Sequence, residues 1–192
     1  MGDRKYIIFD LDGTLVDSFS TVKAACKRVF ETHAPAAMPA DSWMESWRRG
    51  NLEPMFAELA VRAGMTADGF RQAYDDAYAS DSVTGTSVMA EQYAILTSAR
   101  EKGIGIVVLT NKRQQLAEDV CRRLFAEKEI DVVIGRQGTD PIKPRPVMAE
   151  RLKACGIDPA RQCLCYYGDT DIDRRSAELL KVKYEYVNTL KQ

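Results

Sequence analysis

The chain has 192 residues, 45% hydrophobic and 29% charged, with a formal net charge of −1. That length suits one domain or a core with a modest inserted unit, and allows a sizeable buried core. The balanced charge removes the basic field of a nucleic-acid binder, and no apolar run approaches the roughly 20 residues that cross a bilayer.

The opening "MGDRKYIIFD" meets acid almost at once and lacks the apolar segment of a signal peptide, so a cytoplasmic protein is expected. Tyr6–Phe9 reads as the first strand and runs into Asp10 and Asp12 before Gly13. Two carboxylates ending an apolar strand are costly unless a proton or cation completes them. Taken alone, they equally fit a strand end at which Asp turns the chain.

From about Val16 to Thr84 no convincing strand occurs, only helix-like stretches separated by "HAPAAMPAD", "WRRGN" and "AGMTADG". A crossover that long is too large for a loop and too helical for disorder, so it predicts an inserted helical unit. His33 falls at a helix end there, and Trp43 and Trp47, four apart, suggest a packed face. "WRRGN" separates the expected helices Asp41–Trp47 and Leu52–Ala63, leaving Arg48 and Arg49 either solvated or free to read an anionic group. Gly85 and its small neighbours return the chain to the core.

Apolar runs then alternate with helical patterns. Ile104–Leu109 is followed by Thr110, Asn111 and Lys112, and a helix carries Leu116, Cys121 and Leu124. Ile130–Ile134 leads to "DPIKPRP" with Lys143, then to a helix over Pro146–Cys155. Cys163–Tyr167 ends in "YGDTDID", and Val182–Val187 is the last strand. Cys163 and Cys165 are expected to share a strand face, and the five cysteines read as reduced core thiols. The alternation predicts an α/β fold, a doubly wound parallel sheet over 1–15 and 85–192, with a helical cap over 16–84.

In such sheets ligands bind beyond the carboxyl ends of the strands. Four strand ends carry Asp10 with Asp12, Thr110 with Asn111, Lys143, and Asp169 with Asp171 and Asp173. Several carboxylates in one crevice call for a hard cation on oxygen ligands, and Mg²⁺ with substrate phosphate suits them. Lys143 adds positive charge and Thr110 a hydroxyl, which together supply the positioning and neutralisation of phosphoryl transfer. Lys112, Arg113, Arg145, Arg174 and Arg175 either form a basic rim around that crevice or are solvated.

"FDLDGTLVDS", "VVLTNK", "IKPRP" and "YGDTDID", in that order, resemble the haloacid dehalogenase (HAD) superfamily, nearest its phosphoglycolate phosphatase-like branch with a helical cap. The resemblance runs from about Lys5 to Val187; the cap matches only in position and helical character. It implies a Mg²⁺-dependent phosphatase that hydrolyses a small phosphate monoester through an aspartyl-phosphate. By the same resemblance Asp10 is the nucleophile and Asp12 the acid/base. Thr110, Asn111 and Lys143 hold the phosphoryl group. Asp10, the Asp12 carbonyl and Asp169 bind the metal, with Asp173 in support and Asp171 a solvated helix-start acid. Arg49 is the candidate substrate reader in the cap. The partner implied is a small phosphorylated metabolite, handled by a monomer or weak dimer.

The chain departs from the family pattern in reading "VTGTSV" where a Pro-Gly often stands, and "RRSAELLKVKY" where an Ala-Gly ending is usual. The final strand-helix extension of relatives is also missing. A β-phosphoglucomutase-like phosphomutase and a non-catalytic phosphate-sensing or interaction protein remain open alternatives, although Asp12 favours phosphate esters over haloacids.

Overall fold

A computed structural model describes residues 4–48 and 51–187. The chain divides into two compact units, one of Met1–Asp17 with Ser87–Gln192 and the other of Ser18–Thr86. In chain order, β1 (Tyr6–Phe9) and β2 (Val16–Asp17) come first. The helical unit follows, with α1 (Phe19–His33), α2 (Asp41–Glu45), α3 (Glu53–Arg62) and α4 (Ala67–Ala79). Then come β3 (Ser87–Val88), α5 (Ala90–Glu101), β4 (Gly105–Arg113), α6 (Gln114–Leu124) and β5 (Val132–Arg136). The chain continues through α7 (Val147–Ala154), α8 (Pro159–Gln162), β6 (Cys163–Gly168), α9 (Asp171–Leu180) and β7 (Tyr184–Tyr186).

Five strands pair in the order β5-β4-β1-β6-β7, every pair parallel. β1 is central: the chain winds outward through β4 and β5, then crosses back to β6 and β7. Strand order therefore reverses beside β1, where a doubly wound sheet opens its ligand crevice. Ile8, Val107, Leu109, Ile134 and Tyr166 build a core with Met148 and Leu152 of α7 and Ala177 and Leu180 of α9. Helices α5 and α6 also pack on β4 but contribute nothing to that cluster, so the sheet carries helices beyond a single layer.

The helical unit buries Cys26 and Phe30 of α1, Phe56 and Leu59 of α3, and Phe70, Tyr74 and Tyr78 of α4. Phe30 meets Phe70 edge-on at 6.1 Å, and Phe56 meets Tyr74 at 4.7 Å between centroids, a geometry that aromatic quadrupoles favour. Thr66 caps α4 by accepting the Gly69 N–H at 3.1 Å.

Several expected boundaries shift. The insertion was expected to begin at Val16, but Val16 and Asp17 pair antiparallel with Val88 and Ser87. Backbone pairing thus claims both residues for the core unit. Helix α2 stops at Glu45 rather than Trp47; the Trp43 and Trp47 rings lie 6.0 Å apart and half-buried. Thr110, Asn111 and Lys112 lie within β4, not beyond it, because pairing resumes between Arg113 and Arg136 after a break at Leu109. Cys163 and Cys165 do not share a face. A bulge sets Cys163 opposite Tyr6 but Cys165 opposite Ile7, consecutive residues of β1 whose side chains point to opposite sides.

Candidate active site

The sharp turn after β1 brings its two aspartates to the sheet edge. The amides of Thr14, Leu15 and Val16 all donate to the Leu11 carbonyl, at 3.3, 2.9 and 3.0 Å. Gly13 stands in the left-handed region at φ +81°, and a Cβ there would meet Asp169 Oδ2 at 2.5 Å. Only glycine satisfies both the turn and that approach. At the end of β6, a Cβ on Gly168 would sit 2.3 Å from that of Asp173, so glycine there lets α9 begin directly against the strand.

Four of the expected side chains converge. Lys143 Nζ, with its side chain 2% exposed, lies 2.6 Å from Asp10 Oδ1 and 2.7 Å from Asp173 Oδ1. It also donates to the Leu109 carbonyl at 2.9 Å and the Tyr166 hydroxyl at 3.2 Å. Asp10, Asp169 and Asp173 each offer an oxygen within 4.8 Å of the others. Thr14 Oγ1 donates to Asp169 Oδ1 at 3.4 Å.

Charge in this cluster is unbalanced. Burial, opposed by Lys143 but reinforced by Asp173 and Asp169, pushes the Asp10 carboxyl well above its usual range. Burial followed by the Asp173 charge pushes Asp169 up to about 7. Lys143 resists its own desolvation, because Asp10 and Asp173 hold its ammonium ionised. Three carboxylates against one buried ammonium leave excess negative charge, which a divalent cation on oxygen ligands would relieve. The donor set therefore fits Mg²⁺. Asp173 is the least available ligand. Its Oδ1 accepts from Lys143 and, at 3.1 Å, from Tyr166, while Oδ2 caps α9 through the Thr170 amide and hydroxyl.

Thr110, 1% exposed, accepts the Lys112 amide on Oγ1 at 3.1 Å, which leaves its hydroxyl proton to donate. Asn111 Oδ1 accepts the Lys143 amide at 2.7 Å and Arg145 Nη1 at 3.3 Å, so its NH₂ is the group left to reach a ligand. Asp12 is more open than Asp10, with 26% of its side chain exposed, and Lys112 Nζ lies 3.1 Å from its Oδ1.

The structure divides the five cations for which the sequence leaves both a rim and a solvated surface open: Arg113 is exposed, Arg145 is buried, and Lys112, Arg174 and Arg175 pair with aspartates. Arg145 is wholly buried and donates to the Gly135 carbonyl at 3.0 Å and the Thr110 carbonyl at 3.3 Å. Arg174 and Arg175 pair with exposed Asp171 on their own helix, which reconciles cations with the positive end of α9. Lys112 is turned to Asp12. Arg48 bonds Glu45 at 2.9 Å and lies over the Phe19 ring; Arg49 lies outside the described residues. His33 ends α1, exposed. One site group escaped the sequence reading, Tyr166, which looks like another core residue of β6; Arg145 was named there, but no local pattern announces its burial. The alternation of β6 with the core was the one available signal for Tyr166.

The haloacid dehalogenase-like hydrolase family model matches residues 7–187. A phosphoglycolate phosphatase of Cereibacter sphaeroides is 27% identical over 184 residues, covering 93% of this chain and 82% of the relative. One from Aquifex aeolicus is 23% identical over 176 residues, covering 88% and 78%. The solved haloacid dehalogenase-like family hydrolase of Streptococcus pneumoniae superposes with a TM-score of 0.75 at 21% identity, covering 98% of this chain and 86% of that one. The fold, the order of the motifs and this match across nearly the whole chain agree: the protein belongs to the haloacid dehalogenase-like hydrolases.

Proposed function

We propose that the protein is a Mg²⁺-dependent phosphatase that hydrolyses a small phosphate monoester through an aspartyl-phosphate at Asp10. The observation that carries this reading is the contact of Lys143 Nζ with Asp10 Oδ1 at 2.6 Å inside a cluster of three carboxylates. A carboxylate held there by a buried ammonium has its orientation fixed, and the same ammonium can reach a phosphoryl oxygen.

An oxygen of Asp10 attacks phosphorus, and the bond from phosphorus to the leaving oxygen breaks. Asp12 gives its proton to the departing alkoxide, which leaves as the alcohol. Asp12, now a carboxylate, takes a proton from water, and the hydroxide attacks the phosphorus of the acyl phosphate. The bond from phosphorus to the Asp10 oxygen breaks, which frees the Asp10 carboxylate, releases inorganic phosphate and leaves Asp12 protonated again. Thr110 donates its hydroxyl and Asn111 its amide to the transferring oxygens. Asp10, the Asp12 carbonyl and Asp169 would hold the Mg²⁺, whose charge offsets that of phosphate. Asp173 supports by orienting Lys143 and capping α9.

The helical unit is the cap in this reading, with the substrate a small phosphorylated metabolite. The relatives named for phosphoglycolate make a short anionic phosphate ester the first candidate. We assign the enzyme to the cytoplasm, in keeping with five free cysteines. No helix among the described residues is long and apolar enough to cross a membrane. A monomer or weak dimer without nucleic-acid partners completes the reading. The test is hydrolysis of an aryl phosphate and of a panel of alkyl phosphates, with Mg²⁺ and with excess chelator. Turnover of at least one ester that chelation abolishes is expected; turnover unaffected by chelation would remove the metal.

A further inference from the structure

The geometry points to Lys112 as a positioning residue for the proton-transfer group Asp12, a role that rests on the acid/base reading given above. Lys112 Nζ lies 3.1 Å from Asp12 Oδ1, and the lysine side chain is only 6% exposed, whereas Asp12 is 26% exposed. The pair is thus closed on the lysine side and open on the carboxylate side. A surface lysine normally keeps its ammonium in water, so an almost covered ammonium turned onto one carboxylate oxygen marks a built contact.

The lysine is itself anchored. Its amide donates to Thr110 Oγ1 at 3.1 Å, and it lies inside β4, whose hydrophobic part pairs with β1. Cys121 of α6 is buried, and that helix packs on β4, the strand that carries Lys112. Asp12 sits in the Leu11–Val16 turn, where the backbone is fixed but the carboxylate can still rotate about its side-chain bonds. Holding Oδ1 restricts that rotation and so fixes the orientation of the carboxylate as a whole. Proton transfer needs heavy atoms within hydrogen-bond reach and alignment, so a freely rotating carboxyl spends most of its time misaimed.

This role differs from binding the phosphoryl group, and the leaving group separates them. An alkoxide must be protonated as it departs, whereas an activated aryl oxide needs little help. In quenched single-turnover phosphoryl transfer, Lys112→Met should slow an alkyl phosphate by about tenfold or more while an aryl phosphate stays within about threefold. Lys112→Arg, which keeps the charge, should recover much of the alkyl rate. Equal losses on both esters, or none on either, would overturn the role. If Lys112→Met does not fold, Lys112→Gln, which removes the charge but keeps a polar side chain, carries the test: it must lower the alkyl-to-aryl ratio, and an unchanged ratio overturns the inference. Asp12→Asn run in parallel distinguishes the two layers. No leaving-group dependence in Asp12→Asn defeats the acid/base reading itself; dependence there without any in Lys112 variants defeats only this inference.

Discussion

Lys143 and Asp10 are 133 positions apart in the chain, yet their charged atoms lie 2.6 Å apart beneath the sheet's open edge. The contact joins the loop after β5 to the end of β1, so the fold has to be complete before either group has its partner. Removing one member of a buried pair leaves the other uncompensated, at a cost of about 3–5 kcal/mol. Lys143→Met should therefore abolish turnover and also lower stability in metal-free buffer, measured by denaturant melts. Unchanged stability would mean that the ammonium is not holding the carboxylates.

Asp10→Asn should behave oppositely. The amide is nearly isosteric and removes one of three crowded negative charges while leaving Asp173 to hold Lys143. Turnover should vanish, yet the metal-free variant should melt at or above the parent's temperature. A clear loss of stability would show that the charge of Asp10 is a net stabiliser of the fold.

Much of this was legible before any coordinates. The strand ends carried the candidate groups because a parallel sheet gathers them, and Asp10, Lys143 and Asp169, which the structure brings together, could be picked out from where apolar runs end. What sequence could not reveal was which cations face inward. Arg145 and Arg174 look alike in one dimension, but the first is buried among carbonyls and the second pairs on an exposed helix turn. The bulge between Cys163 and Cys165 was equally hidden, because period-two reasoning assumes an unbroken ladder.

In the proposed function, proton and cation compete for the same carboxylates. Without metal, the folded pKa of Asp169 is raised from 3.8 to about 7. A raised carboxyl binds its proton more tightly folded than unfolded, so the metal-free protein should lose stability as pH rises from about 4 to about 7. Mg²⁺ should accordingly raise the melting temperature more at pH 8 than at pH 5. An equal or reversed effect would place the cation elsewhere.

Gly13→Ala combines a left-handed backbone with a Cβ 2.5 Å from Asp169 Oδ2. Such strain costs on the order of 1–3 kcal/mol. The variant should lose stability by about that amount and lose Mg²⁺-induced stabilisation with it. Retention of both would show that the turn can open without disturbing Asp169.

The cysteines offer a check of packing that is independent of catalysis. Burial pushes the thiols of Cys26, Cys121 and Cys163 up to about 12 and that of Cys165 up to about 11. At pH 8 these four stay protonated and poorly reactive, while Cys155 is exposed. Brief alkylation of the folded protein should label Cys155 alone, read by peptide mass. Rapid labelling of Cys121, on the helix that packs against β4, would contradict the packing described there.

The central claim is a covalent phosphoryl group on Asp10, and chemical trapping tests it most directly. Borohydride reduces an acyl phosphate to the alcohol, so enzyme quenched during turnover should carry homoserine at position 10, located by peptide mass. Labelling confined to that position, requiring both Mg²⁺ and substrate, is the predicted result. Sustained hydrolysis with position 10 unmodified and another residue reduced would contradict the account.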